Sequence, residues 1–173
     1  DCDAGKYKVD DTQTSDTCDT CPTNSDSPAA SVAHNDCLAN AGYFGEHHHP
    51  NGIEACVAGK YKGADASPAN CLNCQTGKFK STTASTSCDD CPANSATPSW
   101  DQNFVNANSD NCFCTAGFSG PNGGPCTECA AGKWKDFTAG GTTQLSCFNC
   151  KAGFSTDNKT AQTSEDVCDN NQC

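Results

Sequence analysis

The chain has 173 residues, 17 of them cysteine, and a formal net charge of −11. Leucine and isoleucine are scarce and methionine is absent, which excludes a single large hydrophobic core and indicates a disulfide-stabilised scaffold. All ten basic residues are lysine, and they are not clustered in the sequence. Phosphate binding needs a concentrated basic surface, so nucleic acid is not an expected partner. Such a density of cysteine requires an oxidising compartment, and we therefore expect an extracellular or cell-surface location.

The chain contains no apolar run long enough to span a bilayer, so direct membrane insertion of this segment is not expected. No signal peptide is recognisable at Asp1. The end at Cys173, with no companion module after it, favours a piece of a longer protein.

Loops of a first type open with cysteine, two further residues and glycine, followed by lysine, an aromatic residue and lysine. Four copies occur, from Cys2 to Cys18, Cys56 to Cys71, Cys74 to Cys88 and Cys129 to Cys147. In an extended strand the two lysines share one face and the aromatic residue takes the other. We expect the aromatic residues to cover the local disulfides, namely Tyr7, Tyr61, Phe79 and Trp134.

The lysines of these copies are expected to face outward as a basic stripe for assembly, namely Lys6, Lys8, Lys60, Lys62, Lys78, Lys80, Lys133 and Lys135. The alternative is that they serve solubility and pair locally with aspartates.

A second loop type opens with Cys-Pro-x-Asn-Ser and has two copies and one divergent copy, from Cys21 to Cys37, Cys91 to Cys112 and Cys150 to Cys168. A third type runs from Cys114 to Cys126 and is rich in glycine and asparagine, which suit tight turns with positive φ.

An earlier copy of the third loop type lacks both cysteines. Residues 39–45 align with residues 114–120, so Ala39 replaces Cys114, and no cysteine before Cys56 replaces Cys126. A bonded pair explains the joint loss, because losing one cysteine alone would leave a reactive thiol.

The joint loss predicts a disulfide between Cys114 and Cys126. The same pattern along the chain predicts that the cysteine that opens each loop bonds to the cysteine that closes it. The further pairs are Cys2 with Cys18, Cys21 with Cys37, Cys56 with Cys71, Cys74 with Cys88, Cys91 with Cys112, Cys129 with Cys147 and Cys150 with Cys168. Cys173 is left unpaired or bonds externally, and an interlocked arrangement within a module is the alternative connectivity.

The stretch from Cys112 to Lys135 reads Cys-Phe-Cys-Thr-Ala-Gly-Phe-Ser-Gly-Pro-Asn-Gly-Gly-Pro-Cys-Thr-Glu-Cys-Ala-Ala-Gly-Lys-Trp-Lys. It resembles the cysteine-rich repeat called ephrin-receptor-like, which is similar to TNF-receptor and EGF-like modules, and the resemblance covers most of the chain. It implies a fold class of small disulfide-rich repeats, an elongated array of short β-hairpins and loops with little helix and no large core. The missing third-type disulfide after Cys37 and the tail from Cys168 to Cys173 depart from the pattern.

The order of the loops predicts three repeats. Residues 1–55 hold a first-type loop, a second-type loop and the third-type loop without its disulfide. Residues 56–128 hold two first-type loops followed by one loop of each other type, and residues 129–173 form a divergent third repeat.

The cysteine spacing is also compatible with zinc binding. Two consecutive CxxC pairs also have zinc-ribbon spacing, namely Cys71, Cys74, Cys88 and Cys91. Disulfides are favoured because CxxC recurs where no second pair is suitably placed. A run of histidines in the loop without a disulfide is interpreted as a solvated tip, with weak metal binding as the alternative: His47, His48 and His49. No nucleophile with a nearby base stands out, so we expect no enzymatic activity, cofactor or bound metal.

Asn158-Lys159-Thr160 is the one standard N-glycosylation sequon, and we expect Asn158 to be exposed and to carry a glycan.

The expected function is that of an extracellular structural protein, a repeat segment of a matrix, surface appendage or fibril. The expected partners are copies of the chain itself or other matrix proteins. The alternative is a protein-ligand-binding ectodomain segment of a cell-surface receptor.

Overall fold

The computed structural model describes residues 1–8, 17–45, 52–63, 70–98, 106–136 and 146–169. The chain divides into two compact units. The first unit comprises Asp1–Cys74 with Lys80–Cys88, and the second comprises Gln75–Phe79 with Asp89–Cys173. The division into three repeats, with boundaries after residues 55 and 128, stays a prediction about internal sequence similarity.

Sixteen strands of two residues each form eight antiparallel hairpins in the described residues, where no α-helix occurs. In the first unit β1 (Lys6–Tyr7) pairs with β2 (Asp19–Thr20), β3 (Ser25–Asp26) with β4 (Leu38–Ala39), β5 (Tyr43–Phe44) with β6 (Glu54–Ala55) and β7 (Lys60–Tyr61) with β8 (Leu72–Asn73). In the second unit β9 (Lys78–Phe79) pairs with β10 (Asp89–Asp90), β11 (Ser95–Ala96) with β12 (Phe113–Cys114), β13 (Phe118–Ser119) with β14 (Thr127–Glu128) and β15 (Lys133–Trp134) with β16 (Phe148–Asn149).

Helical structure among these residues is limited to single 3-10 turns at His34–Asp36, Ser109–Asn111 and Glu165–Val167. The predicted fold class, an array of small disulfide-rich hairpins with little helix, is therefore confirmed.

Tight turns that the sequence specifies precede the first strands of the hairpins. In the first hairpin the amide of Lys6 donates to the carbonyl oxygen of Asp3 at 3.2 Å, and Gly5, the third residue of the turn, has a φ of 78°. A positive φ at this position is required by a type II turn and favours glycine. The two standard second-type loops have asparagine there, with φ values of 63° at Asn24 and 60° at Asn94. Asparagine tolerates this conformation better than most side chains, so both cysteine motifs encode the same turn.

Eight disulfides connect cysteines that are neighbours in sequence order, and they coincide with the pairs expected from the sequence: Cys2–Cys18, Cys21–Cys37, Cys56–Cys71, Cys74–Cys88, Cys91–Cys112, Cys114–Cys126, Cys129–Cys147 and Cys150–Cys168. The bonded cysteines lie 12 to 21 residues apart in sequence. Each cross-link of this size restricts the unfolded chain and contributes about 2–4 kcal/mol in the chain-entropy model.

Backbone hydrogen bonds join consecutive hairpins within a unit. The amide of Gly42, in the turn before β5, donates to the carbonyl oxygen of Lys62, the residue after β7, at 2.9 Å. The equivalent bond in the second unit joins the amide of Gly117 to the carbonyl oxygen of Lys135 at 2.7 Å. An isolated two-stranded hairpin is marginally stable at best, so these bonds to the following hairpin supply part of the stability that each one lacks.

The buried apolar residues of the described part of the chain are nearly all cysteine: Cys2, Cys21, Cys37, Ala39, Cys56, Cys74, Cys112, Cys114 and Cys129. Two threonines are also almost completely buried. The hydroxyl oxygens of Thr97 and Thr156 accept hydrogen bonds of 2.8 Å from the turn amides of Gly77 and Gly132, respectively. Disulfides and satisfied polar groups therefore take the place of a large hydrophobic core.

The third-type loop has the same hairpin with and without its disulfide. Ala39, which is 1% exposed, stands at the position of Cys114 and is buried as that cysteine is. Ile53 directly precedes β6, as Cys126 directly precedes β14, so the two residues hold equivalent positions. The hairpin survives the missing disulfide because its turn and its bonds to the following hairpin are unchanged.

Candidate protein-binding surface

The two residues between the cysteines of each CxxC pair form the second strand of a hairpin. We term these strands the exposed dipeptides: Asp19–Thr20, Leu72–Asn73, Asp89–Asp90, Thr127–Glu128 and Phe148–Asn149. Both residues of every one are exposed. The second strands of the other hairpins have no exposed residue: Leu38–Ala39, Glu54–Ala55 and Phe113–Cys114. The surface of the described residues therefore repeats one feature, a solvent-facing pair of residues held between two disulfides.

The first lysine of each first-type loop lies across the hairpin from the second residue of an exposed dipeptide. These four residues, termed the hairpin lysines, pair in register as Lys6 with Thr20, Lys60 with Asn73, Lys78 with Asp90 and Lys133 with Asn149. Residues directly opposite in an antiparallel pair have their Cβ atoms about 5 Å apart and share a face. Each of these hairpins therefore combines an ammonium group with a polar or acidic side chain.

The hairpin of β9 and β10 carries an ion pair between the Nζ of Lys78 and the Oδ1 of Asp90. The two side chains are 40% and 81% exposed. An ion pair this exposed to solvent contributes about 0–1 kcal/mol to stability, because water and salt screen it. The charges of Lys78 and Asp90 are therefore available to a partner at little cost to the fold.

The expectation that all eight motif lysines face outward is wrong for Lys62 and Lys135, which are 5% and 4% exposed. Each motif strand ends at the aromatic residue, so the alternation of a strand does not extend to the second lysine. The backbone leaves the hairpin there and bonds to a neighbouring loop. The amides of Lys62 and Lys135 donate to the carbonyl oxygens of Ser85 and Gln162, both at 3.0 Å.

Each buried ammonium group binds the backbone of the preceding third-type loop. The Nζ of Lys62 donates to the carbonyl oxygen of Ala39 at 2.7 Å. The Nζ of Lys135 donates to the carbonyl oxygens of Cys114 at 3.0 Å and Phe118 at 2.8 Å. These bonds connect a third-type loop to the first-type loop that follows it, and they occur in both units. Lys62 and Lys135 are therefore parts of the scaffold.

Burial lowers the pKa of both Lys62 and Lys135 from 10.5, because a charged ammonium group loses hydration there. The neighbouring Asp136 opposes part of this shift in the pKa of Lys135, since a carboxylate favours the charged form.

The remaining six lysines of the predicted stripe keep contact with solvent. Lys6 and Lys133 are exposed, and the half-buried ones are Lys8, Lys60, Lys78 and Lys80. The use of these lysines in assembly stays a prediction.

The four motif aromatic residues are half-buried: Tyr7, Tyr61, Phe79 and Trp134. The ring of Tyr7 meets the ring of His34 edge-on, with centroids 4.9 Å apart. The ring of Trp134 packs on Phe148, its cross-strand partner, also at 4.9 Å. Phe148 is still 38% exposed, so this hairpin presents an aromatic surface next to its lysine.

Asn158 is exposed, as the sequence predicts. Four residues with predicted roles lie outside the described residues, namely His47, His48, His49 and Cys173.

Within the described ranges, no three histidine, cysteine or acidic side chains are grouped to hold a metal ion. The same ranges contain no helix with the length and apolar character needed to cross a membrane.

Sequence reasoning missed the exposed dipeptides, because it considered each CxxC pair only for its cysteines, as disulfide partners or as zinc ligands. The available signal was the polar composition of the residues between the cysteines, which includes Asp19, Asp89, Asp90 and Glu128. A polar pair flanked by two disulfide-bonded cysteines is poorly suited to burial.

No protein-family model matches the chain, and no curated protein shows significant similarity to it. The abundance of disulfides is typical of extracellular proteins.

Proposed function

We propose that the chain is a non-enzymatic extracellular structural segment that associates with copies of itself or with other matrix proteins. The contacts are made by the hairpin lysines and the exposed dipeptides. The observation that carries this proposal is the fourfold recurrence of one arrangement, a lysine across a two-residue strand from an exposed dipeptide. Exposed acidic side chains occur in three of the five dipeptides, so one chain carries both signs of charge.

Repetition matters because each contact is weak. A single exposed ion pair contributes about 0–1 kcal/mol. Several such contacts on one chain act together once the first has formed, since the later ones are effectively intramolecular. Complementary charges also orient the two surfaces. A structural segment with many identical sites therefore suits this surface better than a single deep binding pocket does.

The cysteine spacing, the sequential disulfides and the two-residue hairpins also support a proposal about family. We infer that the modules are of the ephrin-receptor-like type, with the third-type loop at residues 39–53 as a variant that has lost its disulfide.

A matched pair of double variants tests the proposed association. Lys60→Gln with Lys78→Gln removes two hairpin lysines, whereas Lys151→Gln with Lys159→Gln removes two lysines outside the motifs. Sedimentation velocity should show that the full chain associates and that association weakens as the Debye length falls below about 8 Å. The first variant should associate less at low salt, and the second should resemble the unmodified chain.

Disulfide mapping and hydrogen exchange should show that both double variants remain folded, because the substituted side chains keep contact with solvent. An unmodified chain that stays monomeric at all salt concentrations and binds one soluble protein tightly would favour the receptor ectodomain instead.

A further inference from the structure

A tight turn from Thr156 to Lys159 carries the asparagine of the single standard sequon. The amide of Lys159 donates to the carbonyl oxygen of Thr156 at 2.8 Å, and φ is 50° at Asp157 and 60° at Asn158. Positive φ at both central positions is the mark of a type I′ turn, in which asparagine is favoured. Asn158 therefore lies at the tip of a turn that its own residue type stabilises.

Thr156 anchors this turn to the rest of the second unit. Its side chain is 2% exposed, and its hydroxyl donates to the carbonyl oxygen of Lys159 at 2.7 Å while accepting from the amide of Gly132 at 2.8 Å. Beyond the sequon, the amide of Ala161 donates to the carbonyl oxygen of Cys129 at 2.9 Å. The turn is held on both sides, and its residues 157–160 are all exposed.

We propose that Asn158 is a site of N-linked glycosylation, with a lipid-diphosphate-linked oligosaccharide as the donor substrate. In the transfer, the Nδ2 of Asn158 bonds to the anomeric carbon of the sugar, and the bond from that carbon to the diphosphate oxygen breaks. The amide nitrogen loses one proton and the lipid diphosphate leaves. The folded chain accommodates the product because the exposed turn tip has room for a bulky polar group.

Thr160 connects the sequon to one of the exposed dipeptides. Its hydroxyl donates to the Oε2 of Glu128 at 2.7 Å, and Glu128 belongs to the exposed dipeptide Thr127–Glu128. A glycan attached two residues before Thr160 lies beside this dipeptide and shields it from other proteins. This consequence rests on the proposed function, and it removes one of the five dipeptides from the binding surface.

The site is tested on the full chain produced by a secreting eukaryotic cell. Digestion with peptide N-glycosidase in heavy-oxygen water converts a glycosylated asparagine to labelled aspartate, which peptide mass spectrometry detects. Most of the secreted, disulfide-bonded chain should carry the label at Asn158. Thr160→Ser keeps the sequon hydroxyl and should keep the glycan, whereas Thr160→Ala should lose it. Glu128→Gln should leave occupancy unchanged, since it alters only the folded contact.

A secreted and fully disulfide-bonded chain with unmodified Asn158 would overturn the proposed site, whatever the chain's association behaviour. Shielding is measured separately on monomeric chain by carbodiimide labelling of carboxylates. Glu128 should react at least twofold faster after the glycan is removed, while Asp19 should react equally in both forms. Equal labelling of Glu128 in both forms would contradict the shielding.

Discussion

The Nζ of Lys135 donates a 3.0 Å hydrogen bond to the carbonyl oxygen of Cys114, which lies 21 residues earlier in the chain. Lys62 makes the equivalent bond of 2.7 Å to Ala39, 23 residues earlier. The acceptor is a main-chain oxygen in both cases, so the contact forms whether its residue is a half-cystine or an alanine. A lysine of the first-type loop thus binds the backbone of the preceding third-type loop, whether that loop has its disulfide or lacks it.

Removing this contact should loosen the third-type loop. We expect Lys135→Met to lower the free energy of local opening by about 1–3 kcal/mol, because the buried carbonyl oxygen of Cys114 and the partly buried one of Phe118 lose a donor. Lys133→Met, an exposed substitution in the same motif, should change it by less than about 0.5 kcal/mol. Hydrogen exchange of the Gly117 amide reports the opening. Equal protection in the two variants would contradict the structural role of Lys135.

The buried lysines should also make stability depend on alkaline pH. Burial lowers the pKa of Lys62 and Lys135 from 10.5, so between the folded pKa and 10.5 the unfolded chain binds more protons than the folded chain. Below the folded pKa these lysines destabilise the folded chain the most, because both are charged while buried. The free energy of unfolding therefore rises as the pH increases from the folded pKa to 10.5. Titration of the lysine Cε signals by NMR should give midpoints lower than those of the same residues in the reduced, denatured chain. Midpoints at or above the denatured values would refute the burial argument.

Two turn glycines should respond differently to substitution by alanine. Gly117 and Gly132 have φ values of 80° and 78°, so each alanine costs about 1–2 kcal/mol in backbone strain. A methyl group on Gly117 would also overlap the carbonyl oxygen of Ala161, whereas one on Gly132 meets nothing within 4 Å. The yield of correctly disulfide-bonded chain should therefore fall more for Gly117→Ala than for Gly132→Ala. Similar yields would show that the close approach at Gly117 is unimportant.

A disulfide should form where the first third-type loop lacks one. Ala39 and Ile53 stand at the positions of Cys114 and Cys126, so Ala39→Cys with Ile53→Cys should cross-link and add up to about 3 kcal/mol of stability. Counting of free thiols by alkylation and mass spectrometry measures the bond. Ala39→Cys with Glu54→Cys is the control, because a shift of one residue turns the second side chain to the opposite face. Cross-linking of the control alone would show that the proposed equivalence is in error.

The sequence alone predicted the features that depend on residues close together in the chain. A cysteine pair 12 to 21 residues apart closes a small loop, and a Cys-x-x-Gly or Cys-Pro-x-Asn motif specifies the turn beside it. The joint loss at Ala39 and before Cys56 was visible without any structure. The array of hairpins followed from these local patterns, because the two strands of each hairpin lie near each other in the chain.

Only the tertiary structure decided which way the motif lysines point. Lys62 and Lys80 occur in the same Gly-Lys-aromatic-Lys motif, yet Lys62 is buried and Lys80 is half-buried. The difference depends on which loop packs against each lysine. A third-type loop lies before Lys62 and before Lys135, and it supplies the carbonyl oxygens that compensate for a buried ammonium group. A motif of a few residues contains no record of that neighbour, because the acceptors lie 17 to 23 residues away in the chain.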